Sequence, residues 1–108
     1  MTRKSGGWTG KILRINVTDR STQIISTESY SEKFVGGLGI ALKIAWDEIK
    51  PDVGAFDPDN KLIFSTGPLT GTLAPGSGRM EIVGKSPRTF PKEVVTRSGR
   101  GGHWGVEL

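Results

Sequence analysis

The sequence predicts an α+β fold, namely a β-rich domain of short strands in one or two sheets with one main amphipathic helix. Three observations indicate this. Lys11–Val17 alternates apolar and polar residues with the period of two of a half-buried strand. Leu38–Ile49 instead carries apolar residues at helical spacing. After Asn60, short apolar runs alternate with turns rich in Gly and Pro. The 108 residues are enough for a single domain spanning 1–108, since domains typically have about 100–150 residues.

The first predicted element is a β-hairpin. In its first strand Leu13, Ile15 and Val17 share one face, which we expect to be buried. Thr18–Ser21 has the composition of a turn, and Thr22–Ser26 continues as a second strand with β-branched residues. A short helical turn is expected to follow at Ser31–Val35.

The main helix is predicted by a stripe at i, i+3, i+4, i+7, i+8 and i+11. The residues of this stripe are Leu38, Ala41, Leu42, Ala45, Trp46 and Ile49. The stripe favours a core position for Trp46. Pro51 is expected to end the helix near Lys50, because the residue before a proline disfavours the helical conformation.

The second half is predicted to contain further strands. Leu62–Phe64 is a continuous apolar run, typical of a strand that is buried on both faces. Met80–Val83 alternates, and Val94–Thr96 favours one more strand. The long Gly67–Gly78 segment is predicted to be a loop, and Arg97–Gly105 shows no regular period.

Composition excludes several kinds of site. The chain has no cysteine, so these residues form no disulfide, thiolate nucleophile, or Cys-ligated zinc or iron–sulfur centre. A single histidine, His103, does not build a multi-histidine metal site. We therefore expect no catalytic or metal-ligating residue here. No apolar run is long enough to span a membrane. No apolar segment follows the basic N-terminus, so no signal peptide is expected, and the expected location is the cytoplasm.

Charge and glycine content point to an anionic partner. Lys and Arg exceed Asp and Glu by 15 to 11, and the 16 glycines are about twice the usual share of ~7%. Two glycine-rich stretches also carry arginine, Ala74–Arg79 and Arg97–Gly102. Glycine lets the backbone approach a ligand, its N–H groups can form an anion-binding concavity, and arginine matches phosphate geometry. A phosphate-bearing ligand and tight turns with solvated arginines both fit this composition.

Other motifs carry less information. Gly37–Leu42 begins like a dinucleotide-binding loop, but Leu42 stands where the third glycine is required. The sequence does not contain the G-x-x-x-x-G-K-S/T motif of the phosphate-binding loop in nucleoside triphosphatases. His103 beside Trp104 is interpreted as a packing residue. The carboxylate pairs Asp47–Glu48 and Asp57/Asp59 are interpreted as solvated charges and caps.

The order of several segments is more specific than any one motif. The sequence resembles the aldehyde:ferredoxin oxidoreductase family, the tungsten-pterin enzymes, over nearly its whole length. The matching segments are Gly7–Val17, Val35–Gly39, Asn60–Thr72, Ala74–Arg79, Lys85–Pro87 and Gly101–Leu108. The most specific part is Pro-Leu-Thr-Gly-Thr followed by the Ala74–Arg79 loop.

This resemblance implies that residues 1–108 are an N-terminal domain on which a bis-pterin tungsten or molybdenum cofactor rests. Arg79 matches an arginine that contacts the cofactor, and the loop Gly99–Gly102 matches one that touches it at Gly99 and Gly101. Gly102 belongs to the same expected site. The two pterin phosphates are bridged by Mg²⁺ in the family. Many members have Asn in place of Gly99, so only a backbone contact is expected there. The charge of Arg100 is expected to reach a phosphate.

The resemblance also implies an activity for the complete enzyme. Members oxidise aldehydes to carboxylates and pass two electrons to ferredoxin, and related tungsten enzymes that share this domain reduce aromatic acyl-CoA compounds. The [4Fe–4S] cluster and substrate pocket of the family lie beyond this domain, so the 108 residues alone are expected to be inactive. The expected partners are the remainder of the enzyme, in the same or a complementing chain, and ferredoxin. Neither nucleic acid nor membrane is expected, and homo-oligomerisation stays open.

Two other classes of function remain as alternatives. Arg97–Gly102 resembles an RGG-type segment with Trp104 available for stacking, as in modules that bind single-stranded nucleic acid. A small β-rich domain can also self-assemble through exposed strand edges.

Overall fold

Five strands form two antiparallel sheets in a computed structural model that describes residues 7–108. A hairpin pairs β1 with β2, and a three-stranded sheet has the order β3-β4-β5. The elements are β1 (Lys11–Asn16), β2 (Ser21–Ser26), α1 (Glu28–Phe34), α2 (Leu38–Glu48), β3 (Ile63–Thr66), β4 (Met80–Lys85), β5 (Val95–Arg100) and α3 (Trp104–Glu107). The predicted α+β class is confirmed. In the part of the chain that the structure describes, no helix is long and apolar enough to cross a membrane.

The core lies between α2 and one face of the three-stranded sheet. Ala41, Ala45 and Ile49 pack against Val83 at the centre of β4. The two alanines allow the helix to approach the sheet closely. Leu38, Val53, Ile63 and Val95 complete this cluster from its edges. This packing fixes the position of α2 relative to β4. It therefore also fixes the positions of the residues at the two ends of β4.

The predicted helix exists, but its buried face differs from the prediction. Trp46 is 85% exposed and Leu42 43% exposed, whereas Ile40 and Ile44 are buried. The prediction of a core position for Trp46 is wrong. Apolar residues nearly surround α2, so the sequence period alone does not select the side that meets the sheet.

The hairpin buries the face opposite to the one predicted. Leu13, Ile15 and Val17 are exposed, while Ile12 and Arg14 on the other face are half-buried. Arg14 turns inward because its guanidinium donates two hydrogen bonds to the carboxylate of Glu48 at the end of α2. The predicted period is correct, and the predicted inner face is wrong.

Two segments of the large sheet also differ from expectation. Leu62 and Phe64 are 66% and 50% exposed, so β3 is an edge strand that packs on one face only. β5 continues through Arg97–Arg100, where no regular structure was expected. Its backbone pairs with β4 from Val95 to Arg100, and this pairing, rather than an apolar pattern, makes the segment a strand.

Candidate anion-binding site

The register of β4 and β5 brings the two arginine-bearing, glycine-rich stretches together. Met80 lies opposite Arg100 and Glu81 opposite Gly99. Arg79 directly precedes β4, so it reaches the end of the sheet where β5 finishes. The two stretches are therefore neighbours at one end of the sheet.

The guanidinium of Arg79 lies over the backbone of β5. A Cβ atom placed on Gly99 would be 3.0 Å from Nη2 of Arg79, and one placed on Gly101 would be 3.7 Å from Nη1. The missing side chains thus form a shallow trough that the guanidinium occupies. Arg79 remains exposed, so its donors are available to a ligand on the open side.

Close backbone packing holds the turn that precedes Arg79. A Cβ atom on Gly78 would lie 3.0 Å from the carbonyl oxygen of Gly102. One on Gly105, which is buried in α3, would lie 2.7 Å from the carbonyl oxygen of Gly78 and 3.2 Å from that of Arg79. Gly102 itself has φ +85°, a conformation that L side chains rarely adopt. The small size of these glycines therefore lets the turn before Arg79 pack closely against Gly102 and α3.

Two further charged residues share the face of the sheet with Arg79. Glu81 faces Gly99, and a Cβ atom there would be 3.4 Å from its Oε1. Its Oε2 is buried and accepts no hydrogen bond from residues 7–108. The nearby Nη1 of Arg97 is 3.5 Å from this oxygen, within ion-pair range but without hydrogen-bond geometry. Sequence reasoning did not select Glu81 and included Arg97 only as part of the Arg97–Gly102 stretch, although Arg97, Gly99 and Gly101 have the i, i+2, i+4 spacing of one strand face.

Arg100 lies elsewhere. Successive residues of a strand point to opposite faces, so Arg100 and Gly99 lie on different sides of β5. The guanidinium carbon of Arg100 is 5.2 Å from the ring centroid of Trp104, a cation–π arrangement. The structure thus brings Arg79, Gly99 and Gly101 together, with Gly102 against the turn, and directs Arg100 away from them.

The arrangement suits an anion better than a bare metal ion. Two arginines and one glutamate leave an excess positive charge on this face. Across the described residues 7–108, no three His, Asp or Glu side chains lie close enough together to hold a metal ion. Two shallow concavities on the surface are lined by other residues: one by Pro51–Gly54 with Lys92 and Glu93, the other by Phe34, Gly39, Leu42, Lys43 and Trp46. The Arg79 surface is instead open.

Comparisons with known proteins identify the family of this chain. A profile described as "Aldehyde ferredoxin oxidoreductase, N-terminal domain" matches residues 12–108. The chain is 42% identical over 103 residues to "Tungsten-containing aldehyde ferredoxin oxidoreductase" of Pyrococcus abyssi. It is 41% identical over 107 residues to the protein of the same name from Pyrococcus furiosus. These alignments cover 94% and 95% of this chain and 16% of each relative.

A solved structure has the same fold. It is "Active site complex BamBC of Benzoyl Coenzyme A reductase in complex with 1,5 Dienoyl-CoA", with a TM-score of 0.88 and 37% sequence identity. The match covers 94% of this chain and 15% of that one. Since the profile spans nearly every described residue, the chain belongs to the aldehyde ferredoxin oxidoreductase family and matches its N-terminal domain.

Proposed function

We propose that this chain is the domain on which the bis-pterin tungsten cofactor of a tungsten-dependent oxidoreductase rests. The observation that carries the proposal is the position of the Arg79 guanidinium over Gly99 and Gly101. The absence of side chains at these glycines leaves the space in which the guanidinium lies, and its exposed side matches a phosphate. Two relatives are named as tungsten-containing enzymes, and this supports the same proposal.

Each residue has a separate part in this proposal. Arg79 binds an anionic end of the cofactor by charge-assisted hydrogen bonds. The backbone of Gly99, Gly101 and Gly102 would lie against the cofactor, and its carbonyl groups would offer oxygen ligands to Mg²⁺. When bound, the cofactor supplies the two-electron chemistry. The proposal gives Arg100 no direct contact with the cofactor, because its guanidinium lies against Trp104 on the other face of β5.

The proposed reaction of the complete enzyme is the oxidation of an aldehyde to a carboxylate with ferredoxin as electron acceptor. Two relatives named as aldehyde ferredoxin oxidoreductases support it. The chain spans about 16% of their length, so the substrate pocket, a [4Fe–4S] cluster and the ferredoxin contact are assigned to the remainder of the enzyme or to a complementing subunit.

Reduction of an aromatic acyl-CoA is a second candidate activity. It is favoured by the fold match to a benzoyl coenzyme A reductase complex, at 37% identity. The trough suits either activity, because it would hold the cofactor rather than the substrate. Assays of the complete enzyme with an aldehyde and with benzoyl-CoA separate the two.

Cofactor retention tests the role of Arg79. In the complete enzyme, Arg79→Ala is expected to lower the tungsten and pterin content at least tenfold after dialysis, since a hydrogen bond to a charged group is worth about 1.5–3 kcal/mol. Metal analysis by mass spectrometry and fluorescence of the released, oxidised pterin measure it. Arg88→Ala is the matched control, because Arg88 is an exposed arginine in the turn after β4. Full occupancy in Arg79→Ala would contradict the proposal.

A further inference from the structure

We infer that Arg97 is a second anion-binding residue of this site, so that the trough binds a ligand with two phosphate groups or a diphosphate. The inference rests on the proposed function, because it assigns a further residue to the same site. It concerns the face of β5 that Arg97 shares with Gly99, and not Arg100 on the opposite face.

Arg79 and Arg97 lie on the same face of the sheet. Arg79 precedes β4 and leans over Gly99, where a Cβ atom would be 3.0 Å from its Nη2. Arg97 lies two residues before Gly99 on the same face of β5. Its side chain is 62% exposed, so its donors can reach a ligand above the trough. Both cationic groups therefore lie on the face of the sheet that carries Gly99 and Glu81.

Glu81 brings a negative charge to this position. Its carboxylate borders the space above Gly99, and on its own it would repel an anion there. Arg97 is 3.5 Å from its Oε2, the buried oxygen that accepts no hydrogen bond in residues 7–108. A buried carboxylate oxygen in this state needs a nearby positive charge. With both arginines present, the face keeps one net positive charge and two separate guanidinium groups.

The number of guanidinium groups indicates the class of ligand. A guanidinium forms a bidentate contact with one phosphate group. Two guanidinium groups therefore match a ligand with two phosphate groups better than a ligand with one. The glycines near them carry no side chain that would keep the ligand away. A bis-pterin cofactor with two phosphates and a free diphosphate share this chemistry.

Pyrophosphate, titrated into the chain at low salt and followed by calorimetry, is the probe. Arg97→Gln is expected to weaken binding about tenfold, the loss of one charge-assisted contact. Arg100→Gln removes the same charge from the same strand and is expected to stay within twofold of the unmodified chain. Orthophosphate is expected to bind more weakly than pyrophosphate and to depend less on Arg97. Circular dichroism confirms that each variant is folded.

The Glu81→Gln background separates direct contact from neutralisation of Glu81. If Arg97 contacts the anion, Arg97→Gln weakens binding in both backgrounds. If Arg97 only neutralises Glu81, the loss disappears in Glu81→Gln, and the inference is overturned. Equal losses in Arg97→Gln and Arg100→Gln would also overturn it.

Arg79→Gln distinguishes this failure from failure of the proposed function. If Arg79→Gln weakens binding and Arg97→Gln does not, only the role of Arg97 is lost. If Arg79→Gln has no effect, or the unmodified chain does not bind pyrophosphate, the anion site itself is refuted and both proposals fail with it.

Discussion

The two ends of β4 are built in opposite ways. At the Lys85 end, polar groups are buried and bonded: Lys85 donates from Nζ to the carbonyl oxygens of Lys50 and Pro51, at 2.9 Å each. At the Arg79 end, the arginines are exposed and a carboxylate oxygen of Glu81 has no hydrogen bond from residues 7–108. One end is satisfied internally and the other is open to a ligand. We expect stability to depend on the first and binding on the second.

The largest expected effect on stability is at the Lys85 end. The side-chain amide of Asn60 donates to the carbonyl oxygens of Ala55 and Lys85, and its Oδ1 accepts from the backbone N–H of Lys85. Asn60→Ala is expected to lower the free energy of unfolding by about 2–3 kcal/mol, because partly buried backbone groups lose their partners. Urea unfolding followed by circular dichroism measures it.

Asn16→Ala is the matched control for Asn60→Ala. Asn16 is exposed and its Oδ1 accepts only a local bond from the N–H of Thr18. Its replacement is expected to cost less than about 1 kcal/mol. Similar losses in the two variants would show that the Asn60 hydrogen bonds do not carry the stability of this end.

A smaller effect is expected from the ion pair between Arg14 and Glu48. Hydrogen bonds from Arg14 hold the pKa of Glu48 below its ordinary value of 4.5, against the opposing effect of burial. A lowered pKa in the folded state adds stability above pH 4.5, and this stability is lost as the pH falls through the folded pKa. Glu48→Gln is therefore expected to flatten the loss of stability in acid.

Unfolding measured from pH 6 to about pH 3 checks the Glu48 prediction. Asp47→Asn is the control, since Asp47 is the adjacent carboxylate and pairs with Lys43 on the exposed side of α2. It is expected to retain most of the acid dependence. An unchanged acid profile in Glu48→Gln would assign that dependence to other carboxylates.

The smallest effect on stability is expected at the open end, where binding changes instead. Gly99→Ala places a methyl group 3.0 Å from Nη2 of Arg79, so the guanidinium must move. Gly101→Ala places one at 3.7 Å, an ordinary contact. Neither glycine has positive φ, so both variants are expected to lose less than about 1 kcal/mol of stability. Pyrophosphate affinity is expected to fall several-fold in Gly99→Ala and to stay nearly unchanged in Gly101→Ala. Equal pyrophosphate affinities in the two variants would show that the position of the Arg79 guanidinium does not determine binding.

The sequence predicted the periodicity of α2 and β1 better than it predicted which face of each element is buried. The helical stripe and the β1 alternation are correct, but aliphatic residues occupy both sides of each element. Only the folded structure shows that Ile40 and Ile44 are inside and Trp46 is outside. Likewise, Arg14 turns inward for a partner 34 residues away. Such choices depend on distant contacts and are not visible in local spacing.

The site was predictable in part for a related reason. The glycines and Arg79 stand out in composition, and their family resemblance placed them in one site. The strand character of Arg97–Arg100 does not stand out, because its backbone pairing with β4 stabilises a segment without apolar residues. Without that strand, the alternation that groups Arg97 with Gly99 and separates Arg100 from them was not apparent.

The packing of Gly105 against the Gly78–Arg79 peptide has a consequence for mutational surveys of this chain. Gly105 has no side chain to offer a ligand, and its Cβ position points into backbone at 2.7 Å. Any larger residue there would push α3 away from the turn and shift Arg79. A screen scored on ligand retention would therefore identify position 105 as though it were a contact residue, when its contribution is to leave space for its neighbours.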